Sequence, residues 1–496
     1  MSTPSSFKTA LPGILICCVA AFGGFLFGFD TGTISGNMAM QSWINQFGTA
    51  GSDGVITVAS SINSLVGSIM AVGEFVGALL GSPVADSIGR RYGTISACLV
   101  LAVGVAIQAG APVLGVFILG RIVGGVGIGL VSAMVPMYQS ECAPKWIRGT
   151  VVTGYQWFIT IGILIANIVN NATKDRADDS AFRIPIGIQI VWASVMALGM
   201  FCLPESPRYY VKKNNLEEAR KSLARLNAAD ANSAELDSEL ADIVTQYEAE
   251  VALGEASYTD CFKKNDRKVY LRTMTGILIQ AFQQLTGVNL FFTYGTVFFQ
   301  NAGFTDPFTI SMVTSGVNCA ATLPSFYLIE RFGRRNLLIY GAAAMFIFQF
   351  IAAVVSVAVG ADNLTAQTIL VVFVCLYIAS FAMTWGPVAW VVLNEIHPLN
   401  IRAKSVSMGT ASNWFWNFII AFVNPYIFGA EYGNIGSKIL FIYGTTCFFC
   451  TIYAYFYIYE TKGLSLEQID HLYANYTALE SAKADFSKTD VEASKK

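Results

Sequence analysis

Asp86-Ser87-Ile88-Gly89-Arg90-Arg91 and Glu330-Arg331-Phe332-Gly333-Arg334-Arg335 are one mark written twice, half a chain apart. Each stands where an apolar segment meets a basic one. Glu141 and Arg148 recur at the same spacing as Glu395 and Arg402, and Pro204-Glu205-Ser206-Pro207-Arg208 has a looser echo in Glu460-Thr461-Lys462-Gly463. A repeat of roughly 250 residues is far too long for a solenoid unit. It reads as a duplicated half-protein, which within a membrane implies a transporter with its substrate site between the halves.

The composition places the chain in a bilayer. Of 496 residues, 54% are hydrophobic and 13% charged, too few charges to cover the surfaces of soluble domains. Apolar runs long enough to cross the hydrocarbon core begin at 12–35 and end at 437–458. Twelve are expected, six on each side of a polar stretch at 204–272, with 273–299, 308–329 and 367–393 each read as one span. The division is therefore an N-terminal six-helix bundle at 1–203, a linker with short amphipathic helices at 204–272, a second bundle at 273–458 and a tail at 459–496. In the linker, Leu216, Ala219, Leu223 and Leu226 share one helical face. The segments before 9 and after 470 are expected to be mobile.

Positive charge sets the orientation. Apart from the intramembrane Arg121 and from Lys174, Arg176, Arg183 and Lys438, all 31 Lys and Arg fall on the side holding both termini and the linker. That side is expected to be the cytoplasm. The first run lacks a signal-peptide cleavage site and reads as a retained span. The sequons Asn171-Ala172-Thr173 and Asn363-Leu364-Thr365 fall outside and are open to glycosylation. Eight of the ten cysteines lie in spans and none in an external loop, so a disulfide framework is not expected.

Charges inside the membrane cost on the order of 2.5–3.5 kcal/mol each, so each calls for a role. They are Asp30, Glu74 and Arg121. Asp30 and Arg121 read either as a pair that opens when the acid takes a proton or as a permanent ion pair fixing helix packing. Glu74 has no specific assignment. The seventh span carries Gln283, Gln284, Thr286, Asn289 and Tyr294, and the eleventh Asn413, Trp414 and Asn417. Gln156, Asn318 and Trp390 complete the set. Neutral amides offer donors and acceptors together, which suits a ligand rich in hydroxyls. One such amide serves helix packing, whereas a dense cluster on several spans points to a polar uncharged ligand. No phosphate-binding loop, metal-ligand cluster or nucleophile elbow appears, so neither an enzyme nor an ATP-driven pump is expected, nor any cofactor, metal or nucleic acid.

These motifs, with Gln283-Gln284-Leu285-Thr286-Gly287-Val288-Asn289, Gly24-Phe25-Leu26-Phe27-Gly28-Phe29-Asp30-Thr31-Gly32 and Arg183-Ile184-Pro185-Ile186-Gly187-Ile188-Gln189, resemble the sugar porter family of the major facilitator superfamily, and fungal hexose transporters in particular. The resemblance covers essentially the whole chain. It implies an all-α membrane protein of twelve transmembrane helices in two six-helix bundles, working as a monomer in the plasma membrane. It implies a monosaccharide site at Gln156, Gln283, Gln284, Asn289, Asn318, Trp390 and Asn417, with Tyr294, Asn413 and Trp414 as gate or supporting positions. Asp30 and Arg121 would couple uptake of glucose, a related hexose or xylose to protons, the alternative being a uniporter. Glu141, Arg148, Glu395 and Arg402, with Arg90, Arg91, Glu205, Arg208, Glu330, Arg334, Arg335 and Glu460, match a cytoplasmic network that locks the outward-facing state. The chain departs from the pattern at Ala382, Trp385 and Tyr459. Non-transporting sensors of this family carry long cytoplasmic tails, and about 36 residues are expected to follow the last span here.

Overall fold

The structure, a computed structural model, describes residues 7–483 apart from 51–55, 144–147, 229–232, 253–256, 266, 360–363, 399–400, 430 and 465. The first six rods are the single helices Phe7–Asn37, Ser60–Ile88, Arg90–Ala109, Leu114–Cys142, Arg148–Thr173 and Ser180–Cys202. In the second half, the ninth, eleventh and twelfth are Arg334–Val359, Arg402–Phe428 and Ile439–Tyr457. The other three, read from sequence as single spans, are broken. The seventh is Val269–Leu285 and Val288–Asn301, the eighth Pro307–Thr322 and Ser325–Phe332, the tenth Leu364–Met383 and Trp385–Glu395. The two halves are helical bundles of six, the architecture that the resemblance implies, with one short two-stranded ladder, Thr49–Ala50 against Ile56–Thr57, after the first span.

Helix packing obeys a pseudo-two-fold rule in which span n of the first half matches span n+6 of the second. The first span lies on the fifth, the second and third on the fourth, the third on the sixth. Correspondingly, the seventh lies on the eleventh, the eighth and ninth on the tenth, the ninth on the twelfth. Between halves, the second span meets the eleventh and the fifth meets the eighth, and the same rule maps one contact onto the other. The duplication legible in the sequence is thus a duplication of packing.

Lipid supplies no hydrophobic drive between helices, so close approach relies on small residues. Along the first span, Gly24, Gly28 and Gly32 face the fifth span one turn apart. A Cβ at Gly28 would lie 1.9 Å from the Ile159 carbonyl oxygen, inside any permitted contact. Gly28→Ala is therefore expected to lower the melting temperature of the purified protein by several degrees, a loss of about 1–3 kcal/mol from overpacking. Gly154→Ala, in the fifth span where nothing stands within 4 Å of the added carbon, should leave it unchanged or higher. Equal melting of the two variants would refute the close-approach argument.

Among the described residues, eight helical segments are long and apolar enough to cross a membrane by length and composition alone. The rods that fall short are the fifth, seventh, eighth and eleventh. They carry Gln156, Gln283, Gln284, Asn289, Asn318, Asn413 and Asn417, and the seventh and eighth fall short because their breaks leave pieces of 17, 14, 16 and 8 residues.

Three helices, Pro207–Lys212, Leu216–Asn227 and Ala234–Ala252, join the halves. Ala219, Leu223 and Leu226 are buried there, while Leu216, at the start of its helix, is exposed. The tail departs from expectation through residue 483. Leu466–Asn475 and Ala478–Ser481 are helical and packed beneath the second bundle, with Ile469, Leu472 and Tyr473 buried. The reason lies in the fully buried Arg272, which pairs with Asp470 at 2.5 Å, donates to the Ile469 carbonyl and stacks over the Tyr473 ring. A buried guanidinium needs such partners, and among the described residues the tail supplies them.

Candidate functional site

The break in the seventh span positions the site. Helix Val269–Leu285 ends, Gly287 turns at φ 85°, and Val288–Asn301 resumes. Two conditions require glycine here: the left-handed backbone, and the Tyr443 ring, which a Cβ would approach to 2.2 Å. A break inside hydrocarbon frees carbonyls that water cannot reach. They are met from neighbouring spans: the Thr286 carbonyl accepts from Tyr377 Oη at 2.9 Å and Gln349 Nε2 at 3.1 Å, and the Leu285 carbonyl from Thr446 Oγ1 at 2.5 Å.

Between the halves lies a cavity with about 1000 Å³ of free space, counting the part that opens to solvent. Gln156, Gln283, Gln284, Asn289, Asn318, Trp390 and Asn417 all line it, as do Asn413 and Trp414. Tyr294 does not. Sequence reasoning missed Phe27, Thr31, Tyr155, Phe381 and Asn394, which also form the wall. No charged side chain is among the described lining residues.

The amides form a network centred on Asn413. Its Nδ2 donates to Gln280 Oε1 at 2.7 Å and Gln283 Oε1 at 2.8 Å, and its Oδ1 accepts from Gln284 Nε2 at 2.9 Å. Gln283 Nε2 in turn donates to the Trp385 and Gly386 carbonyls at 3.0 and 2.8 Å, beside the break in the tenth span. Asn289 Nδ2 donates to Gln284 Oε1 at 2.5 Å. The buried polar atoms of the wall left without a partner include Asn318 Nδ2, Tyr155 Oη and Trp414 Nε1, three donors from both halves. Phe27 meets Trp414 edge-on at 5.2 Å, bringing an aromatic surface from each half to one place.

One residue from the cavity wall at Thr31, Asp30 holds Arg121. Arg121 Nη1 donates to Asp30 Oδ1 at 2.9 Å and Oδ2 at 2.7 Å, and both residues are 3% exposed. Arg121 Nε has no partner among the described residues.

The side away from the linker, the outer one by the charge expectation, is sealed by bonds between halves. Across the halves, Tyr294 Oη donates to the Asn63 carbonyl at 3.3 Å, Asn167 Nδ2 donates to Ser315 Oγ at 2.8 Å, and Glu431 accepts from the Ser60 amide at 3.0 Å, while within its own half Tyr294 Oη donates to the Ala421 carbonyl at 2.6 Å. Lys174 pairs with Asp306 at 3.0 Å.

At the ends beside the linker the duplicated marks become one device built twice. Gly89 and Gly333, at φ 93° and 82°, turn the chain into the third and ninth spans. Glu205 accepts from the amides of Arg90 and Arg91, and Glu460 from those of Arg334 and Arg335, so each carboxylate caps a helix N-terminus. Arg90 pairs with Glu141 at 2.9 Å and with Asp86 at 3.3 Å; Arg334 pairs with Glu395 at 2.9 Å and with Glu330 at 3.2 Å. Ser206 and Thr461 bond to Glu141 and Glu395 in turn. Burial pushes the Glu205 carboxyl up, against the pull of its amide donors and Arg90. With the outer side sealed, the ion pairs of Arg90 and Arg334 stay within their own halves. The Arg148 side chain and Asn363 lie outside the described residues, and Asn171 closes the fifth helix with Thr173 buried.

A family model described as Sugar (and other) transporter matches residues 16–473. A major facilitator-type transporter of Aspergillus rugulosus is 46% identical over 94% of this chain and 88% of its own length. A probable glucose transporter of Neurospora crassa is 43% identical over 94% of this chain and 80% of its own. Among solved structures, a proton:xylose symporter bound to 6-bromo-6-deoxy-D-glucose superposes with a TM-score of 0.77 at 24% identity, covering 94% of this chain and all of that one.

Proposed function

We propose that this chain, which belongs to the sugar transporter family of the major facilitator superfamily, carries a monosaccharide across the plasma membrane by alternating access. The observation that carries this reading is the cavity wall: unpaired donors from both halves, amides and indoles, and no charge among the described lining residues. Such a wall suits a neutral polyhydroxylated ring, with amides meeting hydroxyls and Trp390, Trp414 and Phe27 meeting C–H faces. The name of the Neurospora relative supports a hexose. Gln156, Gln283, Gln284, Asn289, Asn318, Trp390 and Asn417 bind the sugar, and Asn413 holds the glutamines in place. Tyr294 belongs to the outer gate. The charge devices at Arg90 and Arg334 brace the cytoplasmic ends, so that each half rocks as a unit. Both termini are cytoplasmic, and one copy suffices.

Asp30 and Arg121 make the carrier a proton symporter. The acid takes a proton from outside, lets Arg121 go, and regains it after the proton is released inside. Uptake of radiolabelled glucose, xylose and a charged sugar acid into transport-deficient cells, with extracellular pH recorded, tests both parts. Neutral sugars are expected to enter and alkalinise the medium. Uptake of the acid alone would refute the neutral site, and sugar entry without alkalinisation would refute symport.

A further inference from the structure

The cavity and the Asp30–Arg121 pair leave one intramembrane charge without a role. Glu74, on the second span, is 4% exposed and makes no hydrogen bond or ion pair among the described residues. A carboxyl so placed is costly unless it works. Its position is fixed by close packing: a Cβ at Gly129 of the fourth span would lie 2.2 Å from the Glu74 carbonyl oxygen, and one at Gly125 would lie 3.2 Å from its amide nitrogen. Both spans run from outside to inside, and Arg121 precedes Gly125 by one turn. Glu74 therefore sits one to two turns, roughly 6–12 Å, deeper toward the cytoplasm than Arg121.

Below it comes Tyr155. On the fifth span Tyr155 packs against Gly24, whereas Gly162 packs against Phe29, next to Asp30. Tyr155 is thus about two turns nearer the cytoplasm than Asp30. Its hydroxyl is buried and has no partner among the described residues, it lines the cavity, and the Glu74 charge acts on it electrostatically. The charged groups facing Glu74 from the elements around it are Asp30 on the first span and Arg121 on the fourth, with the Tyr155 hydroxyl from the fifth.

We propose that Glu74 is the station to which Asp30 passes its proton on the way in, with the Tyr155 hydroxyl as the exit to the cavity. The inference rests on the symport reading. The Asp30 carboxyl gives its proton to the Glu74 carboxylate and becomes the anion that Arg121 grips, as it is in this outer-sealed state. Glu74 then yields the proton to the Tyr155 oxygen while the Tyr155 O–H proton leaves to water in the cavity. One proton enters the series and one leaves it. Every group ends in its starting state, and the guanidinium is charged throughout.

The test compares two transport modes in reconstituted vesicles. Uphill sugar uptake driven by a pH gradient requires proton release on every cycle, whereas sugar counterflow does not. Glu74→Gln is expected to cut uphill uptake and proton influx by about tenfold or more while counterflow stays within about twofold, and Glu74→Asp, which keeps an acid, to restore most of the uphill rate. A merely structural Glu74 would lower both modes together, and an idle one would lower neither; either result overturns the proposal. Where Glu74→Gln fails to incorporate, Glu74→Met, which likewise cannot hold a proton, carries the same comparison, with the same split expected. Wild-type vesicles lacking sugar-driven proton influx would refute symport itself, before any variant is compared.

Discussion

Replacing Asp30 with Asn is expected to abolish pH-driven sugar accumulation and to leave sugar exchange running. Asparagine has nearly the shape of the protonated acid, so the variant is locked chemically in the proton-loaded form. Arg121 Nη1 now draws on both carboxylate oxygens, at 2.7 and 2.9 Å, and its Nε has no other partner to fall back on. Removing the negative charge leaves a buried guanidinium uncompensated, a loss of about 3–5 kcal/mol in settings of this kind. That energy is lost only from states in which the pair is closed. The proton-free carrier must pass through such states to reset, whereas the sugar-loaded carrier in exchange does not. Uphill uptake should fall by two orders of magnitude or more, about the factor that 3 kcal/mol supplies, with counterflow retained. An accumulation ratio equal to wild type would show the pair to be a packing device and the carrier a uniporter.

The sequence exposed this pair because an acid and a base in apolar runs have few innocent explanations. The duplicated marks were legible for a related reason: glycine followed by two arginines, repeated at the same place in each half, reports a turn that both halves need. The structure adds why the marks travel together. Glu205 and Glu460 sit against Gly89 and Gly333, where a Cβ would lie 2.3 Å from a carboxylate oxygen, so glycine and acid depend on one another across the fold. The breaks in the seventh, eighth and tenth spans were hidden. Thr286-Gly287 and Thr384 are neutral residues in apolar runs, and hydropathy records transfer energy, not backbone direction. The docked tail was hidden by its polar composition, although Ile469, Leu472, Tyr473 and Tyr476 keep the three-four spacing of a buried helical face. Residue type alone also could not tell which amides are already engaged. Asn413 and Asn417 lie one turn apart on the same span, yet the first is tied to three glutamines.

That distinction sets the second large effect, which falls on Asn413. Asn413→Ala removes the donor for Gln280 and Gln283 and the acceptor for Gln284 in one step. Each buried polar atom left unmet costs about 1–3 kcal/mol, and the glutamines recover it by turning toward each other or toward water, away from their present orientation. Sugar binding then bears the reorganisation. A loss of about 2–3 kcal/mol of binding energy corresponds to a rise in Kd or KM of roughly 30- to 150-fold. Asn289→Ala is the informative comparison, since Asn289 makes one bond to the network, to Gln284, and truncating it releases a single acceptor. Its KM should rise about tenfold, at the lower end of the same per-atom cost. Asn413 is buried at 3% exposure in a wall of side chains, and its loss breaks no backbone bond, so the variant should still fold and reach the membrane. Measured KM values that rank Asn289→Ala above Asn413→Ala would mean that direct contact with the sugar, and not the network behind it, sets affinity. With the expected order, positioning outweighs contact: two glutamines from a broken helix recognise a sugar only while one asparagine on the neighbouring span holds both their amides still.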